Sequence, residues 1–183
     1  MSHSTSDAPD KIVRARALAD KAAWTKLLEF AKDWREQEPS SARAYFFQGV
    51  ALAGTGRFVE AETSYRQALE LDANDFKTWN NLSGVLFDAL KKPMDALRCM
   101  EQALKLEPRN KLGWSNLASM LGRMGRHEKA MEFAGHALEL DPHFVEALLH
   151  KATAAKALGR PEIVKEVSLT LASIEANKFK RGV

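Results

Sequence analysis

Few side chains in this chain could do acid–base, metal or nucleophilic chemistry, and their spacing points away from catalysis. The five histidines are His3, His127, His136, His143 and His150. None falls into a metal-ligand spacing with acidic partners on one helix face. His136 and His143 straddle a turn, which reads as surface. Cys99, the single cysteine, stands between Ala96 and Ala103 beside Met100 on a helix, the setting of a half-buried packing residue rather than a reactive thiol. Gly-rich phosphate loops and nucleophile elbows do not occur. The expectation is no enzyme, no cofactor and no metal. What remains is hydrogen-bonding chemistry. Asn81 and Asn116 sit 35 residues apart, and each amide offers a donor and an acceptor suited to the backbone of an extended peptide. The competing reading has them bonding within their own helices or to a neighbouring repeat.

The elements that position these residues come from a passage stated twice. WNNLSGVLFDALKKPMDALRCMEQALKLEP runs from Trp79 to Pro108, and WSNLASMLGRMGRHEKAMEFAGHALELDP from Trp114 to Pro142. Trp79 and Trp114 are 35 apart, whereas Ala96 and Ala130, and Pro108 and Pro142, are 34 apart. One extra residue therefore sits in the turn of the first copy. The same pattern extends outward. Residues 42–75 carry Tyr45, Gly49, Ala61 and Ala68 in matching places, with Gly56 at the turn and Ala73 where the other copies have proline. Residues 145–177 carry Leu148, the Gly159-Arg160-Pro161 turn, and Val164 and Leu171 in place of the alanines. Helical character also runs from Pro9 to Leu18 and from Ala22 to Gln37, where Trp24, Leu27, Leu28, Ala31 and Trp34 recur at three- and four-residue steps.

Period, aromatic opening, paired alanines and closing proline together resemble the tetratricopeptide repeat, a helix–turn–helix unit of about 34 residues. The resemblance implies an all-α, right-handed superhelical solenoid. Its expected parts are a disordered start (1–8), a degenerate N-terminal helical pair (9–41), repeats at 42–75, 76–110 and 111–144, a C-terminal capping repeat (145–177) and a basic tail (178–183). It also implies roles. Tyr45, Trp79, Trp114 and Leu148 fill the wedge between paired helices; Gly49, Ser83 and Ala118 allow close crossing; Leu71, Leu106 and Leu140 close each unit.

By the same resemblance the first helix of each repeat lines a concave peptide-binding groove. The groove residues would be Arg43, Phe46, Phe47 and Val50, then Lys77, Asn80, Asn81 and Gly84. The third repeat would give Leu112, Ser115, Asn116 and Ser119, and the fourth Glu146, Leu149, His150 and Thr153. Phe46, Phe47, Val50 and Phe87 suggest an apolar patch at the N-terminal end. Adjacent residues on a helix with 3.6 residues per turn point in different directions, so one of Phe46 and Phe47 is expected to meet solvent or a partner; packing against the N-terminal pair is the alternative. The carboxylate clamp of tetratricopeptide co-chaperones is missing. Its places hold Phe46, Val50, Asn81, Leu112 and Asn116 in one register, and Asn80, Gly84, Asn116, Glu146 and His150 in the next, without the cations a carboxylate needs.

Composition agrees with an interaction module. The net charge of +3 is spread over mixed charges, not gathered into the stripe of a nucleic-acid binder. No run approaches the ~20 apolar residues of a membrane span, and the polar start MSHSTSDAPD lacks the apolar core of a secretory signal. Expected partners are another protein or peptide, with no nucleic acid and no membrane, in the cytoplasm. The alternatives are a chaperone for a specific client, such as a secreted one, and a homo-oligomer formed through an apolar edge of the last helix (Ile163, Val167, Leu169, Ile174).

Overall fold

A computed structural model describes residues 9–180, with side chains described for 10–177. The disordered start expected at 1–8 and the side chains of the basic tail at 178–183 lie outside these. Ten helices and no strand occur among the described residues. Two compact units divide the chain, one ending at Leu106 and the other beginning at Glu107. The first holds α1 (Pro9–Asp20), α2 (Trp24–Gln37), α3 (Ala42–Gly54), α4 (Phe58–Leu71), α5 (Phe76–Gly84) and α6 (Pro93–Leu106). The second holds α7 (Lys111–Arg123), α8 (His127–Leu140), α9 (Val145–Ala157) and α10 (Pro161–Lys180). Within each unit consecutive helices pack against one another, and α7 also packs beside α9.

Polar caps start the leading helices at repeat spacing. Side-chain oxygens of Ser41, Asp75 and Asn110 accept from the backbone N–H of Ala44, Thr78 and Gly113 at 3.2, 3.1 and 3.1 Å, satisfying donors that a helix start leaves open. Phe144 stands at the fourth such place and makes no side-chain cap. The indole N–H of Trp79 donates to the Ala73 carbonyl and that of Trp114 to the Pro108 carbonyl, both at 2.8 Å. Each tryptophan thus fastens its helix to the turn before it. The bond needs only a carbonyl, which is why Ala73 serves where proline is usual.

The extra residue of the second repeat is absorbed as a π turn over Val85–Ala89. There Leu90 N–H donates to the Val85 carbonyl at 3.0 Å, five residues back, the form a single insertion takes inside a helix. The turn that follows carries a cost. Gly56, Gly125 and Gly159 occupy the left-handed region at φ 78°, 76° and 67°, and at the matching place Lys91 is forced to φ 55°. A side chain there costs about 1–2 kcal/mol. Lys91→Gly should therefore raise stability by about 1 kcal/mol, read as a higher urea midpoint at unchanged m-value.

Packing corrects several expectations. Phe46 and Phe47 are both buried, at 8% and 5% exposure, because α3 is sandwiched between α2 and α4. Phe46 lies 6.1 Å from the Tyr65 ring on α4, and Phe47 stacks at 6.2 Å on Trp34 of α2. A helix with neighbours on two sides has two inward faces, so neither phenylalanine meets solvent. Trp34 and Tyr65 are the largest fully buried side chains, whereas Tyr45, Trp79 and Trp114 are only half-buried. Gly49 does allow a close approach: a Cβ there would come within 2.6 Å of Tyr65 Cε1. Gly54 does the same for the Trp24 indole, a contact the repeat pattern does not announce. Leu71 and Leu106 are exposed rather than closing their units. Of the four residues expected to form an apolar edge on α10, Val167 is buried, Ile163 and Ile174 are half-buried and Leu169 stands well out of the surface, so these four do not make an exposed edge together.

Candidate functional site

The groove residues expected in the first unit divide into core and surface. Phe46, Phe47 and Phe87 are core, so the apolar patch expected there is not accessible. Arg43 is held, its Nη1 lying 3.2 Å from Asp75 Oδ1; the carboxylate it grips is the one that caps α5. Asn80 Nδ2–H donates to Asn81 Oδ1 at 3.4 Å, and Asn81 is hydrogen-bonded to the Tyr65 phenol. Burial pushes that phenol far above its usual titration range, with Asn81 acting in the opposite direction. Val50 and Gly84 are half-buried and Lys77 is exposed. A Cβ on Gly84 would meet nothing within 4 Å, which leaves the face of α5 beside it open and polar.

In the second unit the expected residues form two stripes. Leu112, Asn116 and Ser119 follow one another at four- and three-residue steps on α7; on α9 Glu146, Leu149 and Thr153 follow at three- and four-residue steps, with His150 four residues after Glu146. Such steps share a helix face, and the two helices pack side by side. Leu112 is 48% exposed and Leu149 50%. Glu146 and Thr153 are exposed, while Asn116, Ser119 and His150 are half-buried. Ser115 is corrected: at 1% exposure it is core, one residue off the stripe and turned inward with Leu117 and Ala118. Burial pulls the His150 imidazole below its usual pKa, with Glu146 one turn earlier pulling the other way. At pH 7 it is therefore a neutral ring with one donor and one acceptor.

The start of this face is fixed by charge. Lys111 pairs with Asp141 and lies 4.9 Å from the centre of the Phe144 ring. The bond from Lys111 and then the backbone N–H of His143 hold the Asp141 carboxyl below its usual pKa. Trp114 stacks on Phe133 at 5.6 Å and leans on His136 at 5.1 Å, fixing α7 against α8.

No group of three or more His, Cys, Asp or Glu that could hold a metal occurs among the described residues. Cys99 is buried more fully than its neighbours suggest, and burial pushes its thiol up to about 11, which leaves it protonated and unreactive at neutral pH. No described helix is long and apolar enough to cross a membrane. One cluster escaped the sequence reading: Glu62, on α4, receives Lys92 and Arg66, each at 2.8 Å. Burial alone would raise the Glu62 pKa, but those two bonds outweigh it and lower it. The four-residue step from Glu62 to Arg66 was visible; the reach of Lys92 across 30 residues was not.

Comparison with known proteins fits this architecture. Residues 42–75 and 113–144 match family models described as tetratricopeptide repeat. The peroxisomal targeting signal receptor of Candida glabrata is 32% identical over 91 residues, 50% of this chain and 15% of that protein. Protein O-mannosyl-transferase TMTC3 of Homo sapiens is 35% identical over 88 residues, 48% of this chain and 10% of that one. The chain thus spans a small part of the curated relatives it matches. Among solved structures, MamA is 20% identical, covers 89% of this chain and 95% of its own, and superposes with a TM-score of 0.78. YrrB, described as a TPR protein with an unusual peptide-binding site, is 21% identical, covers 94% of this chain and 89% of its own, and superposes at 0.72. Both share the fold of paired helices laid out above. Repeat spacing, capped leading helices, glycine turns and these matches agree: the chain is a tetratricopeptide repeat protein.

Proposed function

We propose that this protein is an interaction scaffold that works without catalysis and captures an extended peptide on the α7–α9 face. The observation that carries the reading is the pair Leu112 and Leu149, about half exposed on adjacent helices. Large apolar side chains offered to water on a face otherwise lined by asparagine, serine, threonine, histidine and glutamate give an anchor with polar positions around it, the composition of a peptide groove. The chemistry suits a peptide with an apolar side chain seated against the leucines and its backbone bonded to Asn116 and the neutral His150. In the first unit, Lys77, Asn80, Asn81 and Gly84 would supply a polar face without an apolar anchor. The peroxisomal targeting signal receptor and YrrB, by their descriptions, bind a targeting signal and a peptide, which supports the class of ligand. A dedicated chaperone is the same physics with one client, and nothing on this face singles out that client.

The test is selection from a displayed peptide library followed by calorimetry. Leu112→Glu combined with Leu149→Glu should weaken the selected peptide at least tenfold, since each leucine buried in an interface contributes about 1.5–3 kcal/mol. The thermal melt should stay near wild type, because both side chains already face water. A selected peptide that binds the double variant equally well would move the site elsewhere.

A further inference from the structure

Helix α1 is joined to the body by a thin and partly unfilled contact. Among its described side chains only Ala15 is buried. The rest of the attachment is polar or cation–aromatic. Lys11 Nζ donates to Glu38 Oε1 at 2.7 Å and Gln37 Oε1 at 3.1 Å and lies 5.8 Å from the centre of the Trp34 ring. The Arg14 guanidinium sits 4.6 Å from the centre of the Phe30 ring. Beside these contacts a cleft of about 610 Å³ opens between α1 and α2, lined by Asp10, Arg14, Leu18, Lys26, Phe30 and Asp33 among others.

The connection from α1 to α2 is strained. Ala22 is held at φ 51°, closing the turn through Ala22 N–H to the Ala19 carbonyl and Ala23 N–H to the Leu18 carbonyl, both at 2.9 Å. Three of the other helix-pair turns place glycine at this point. Lys91 is the other strained non-glycine position among the described residues, but it joins α5 to α6, and α6 buries Ala96, Leu97, Cys99, Met100, Ala103 and Leu104. Opening there would expose a core. Opening at Ala22 releases a helix with one buried side chain of its own, Ala15. Between Leu18 and Phe30 the sequence Leu-Ala-Asp-Lys-Ala-Ala-Trp-Thr-Lys-Leu-Leu-Glu-Phe contains neither glycine nor proline, so a released turn continues as one helix through α1 and α2. That straightened helix carries α1 away from its contacts with the body of its own chain.

We propose that α1 is exchangeable, seating against α2 of a second copy to form a domain-swapped dimer. The occupant fits because it is the same helix: Lys11 and Arg14 of one molecule meet Glu38, Trp34 and Phe30 of the other. The closed monomer and the swapped dimer make the same α1 contacts and differ in the hinge. Relief of two strained turns per dimer therefore drives the exchange, and short hinges under strain favour it.

Light scattering on the full chain over a concentration series reads the mass. The wild type should shift from monomer toward dimer, and Ala22→Gly, which removes the strain and weakens the continuous helix, should weaken dimerisation about tenfold or more. In a Cys99→Ala background, copies carrying Lys11→Cys are mixed with copies carrying Glu38→Cys and treated with a short bismaleimide. Cross-links between the two kinds of copy are expected in the dimer. A monomeric wild type at every concentration overturns the proposal, as does a dimer indifferent to Ala22→Gly or a dimer lacking those cross-links.

Discussion

Trp34→Ala should lower stability by about 3–5 kcal/mol, the loss expected when a fully buried aromatic is cut to a methyl group. Trp34 is 1% exposed and is held on every side. Its ring stacks on Phe47 and tilts against Phe30 at 6.0 Å, and its indole N–H donates to Glu38 Oε2 at 2.9 Å. Glu38 in turn takes Lys11 from α1, and the bonds from Lys11 and Trp34 together hold the Glu38 carboxyl below its usual pKa. The substitution therefore leaves a cavity between α2 and α3 and also releases a carboxylate that helps seat α1. Urea unfolding followed by circular dichroism measures the loss. The half-buried Trp79, tied down mainly by one hydrogen bond to a turn carbonyl, should cost less when cut to alanine.

Phe46→Glu should be at least as damaging and should prevent the first unit from folding cooperatively. The phenyl ring lies edge-on to Phe47 at 5.1 Å and beside Tyr65, over the place where Gly49 lets the Tyr65 ring approach α3. Its ring neighbours Phe47 and Tyr65 offer no cation to a carboxylate. An unpaired buried charge costs several kcal/mol even after it takes up a proton. The circular dichroism melt should collapse or broaden at neutral pH. A variant that melts like the wild type would place Phe46 on the surface and contradict the packing described here.

The repeats were legible because they are periodic. Tryptophans 35 apart and alanines 34 apart place each hairpin and locate the extra residue in the second one. Gly56, Gly125 and Gly159 mark turns that demand positive φ, and Pro93 and Pro161 open the helices that follow. The form of the insertion was not legible, since a π turn and a longer loop look alike in sequence. Side-chain direction was less legible still. Periodicity gives the angle between Phe46 and Phe47 but not how many neighbours surround α3, and two neighbours turn both rings inward. Ser115 reads as a polar groove residue by type, yet its position on α7 buries it; a small hydroxyl in a tight place gives the same letter as one facing a ligand. Val167 misled in the opposite direction, being an apolar residue taken for an exposed edge when it is the one that seats α10 on α9. Leu112 and Leu149 are left to water, as a family pattern that fixes helix faces leads one to expect.

The most direct test of a peptide-capturing α7–α9 face is a methyl-resolved NMR titration of leucine-labelled protein with a library-selected peptide. The account predicts that the methyl signals of Leu112 and Leu149 move and saturate together, while those of the likewise exposed Leu71 and the more exposed Leu169 stay in place. Movement confined to Leu71 or Leu169, with Leu112 and Leu149 unchanged at saturation, would contradict it.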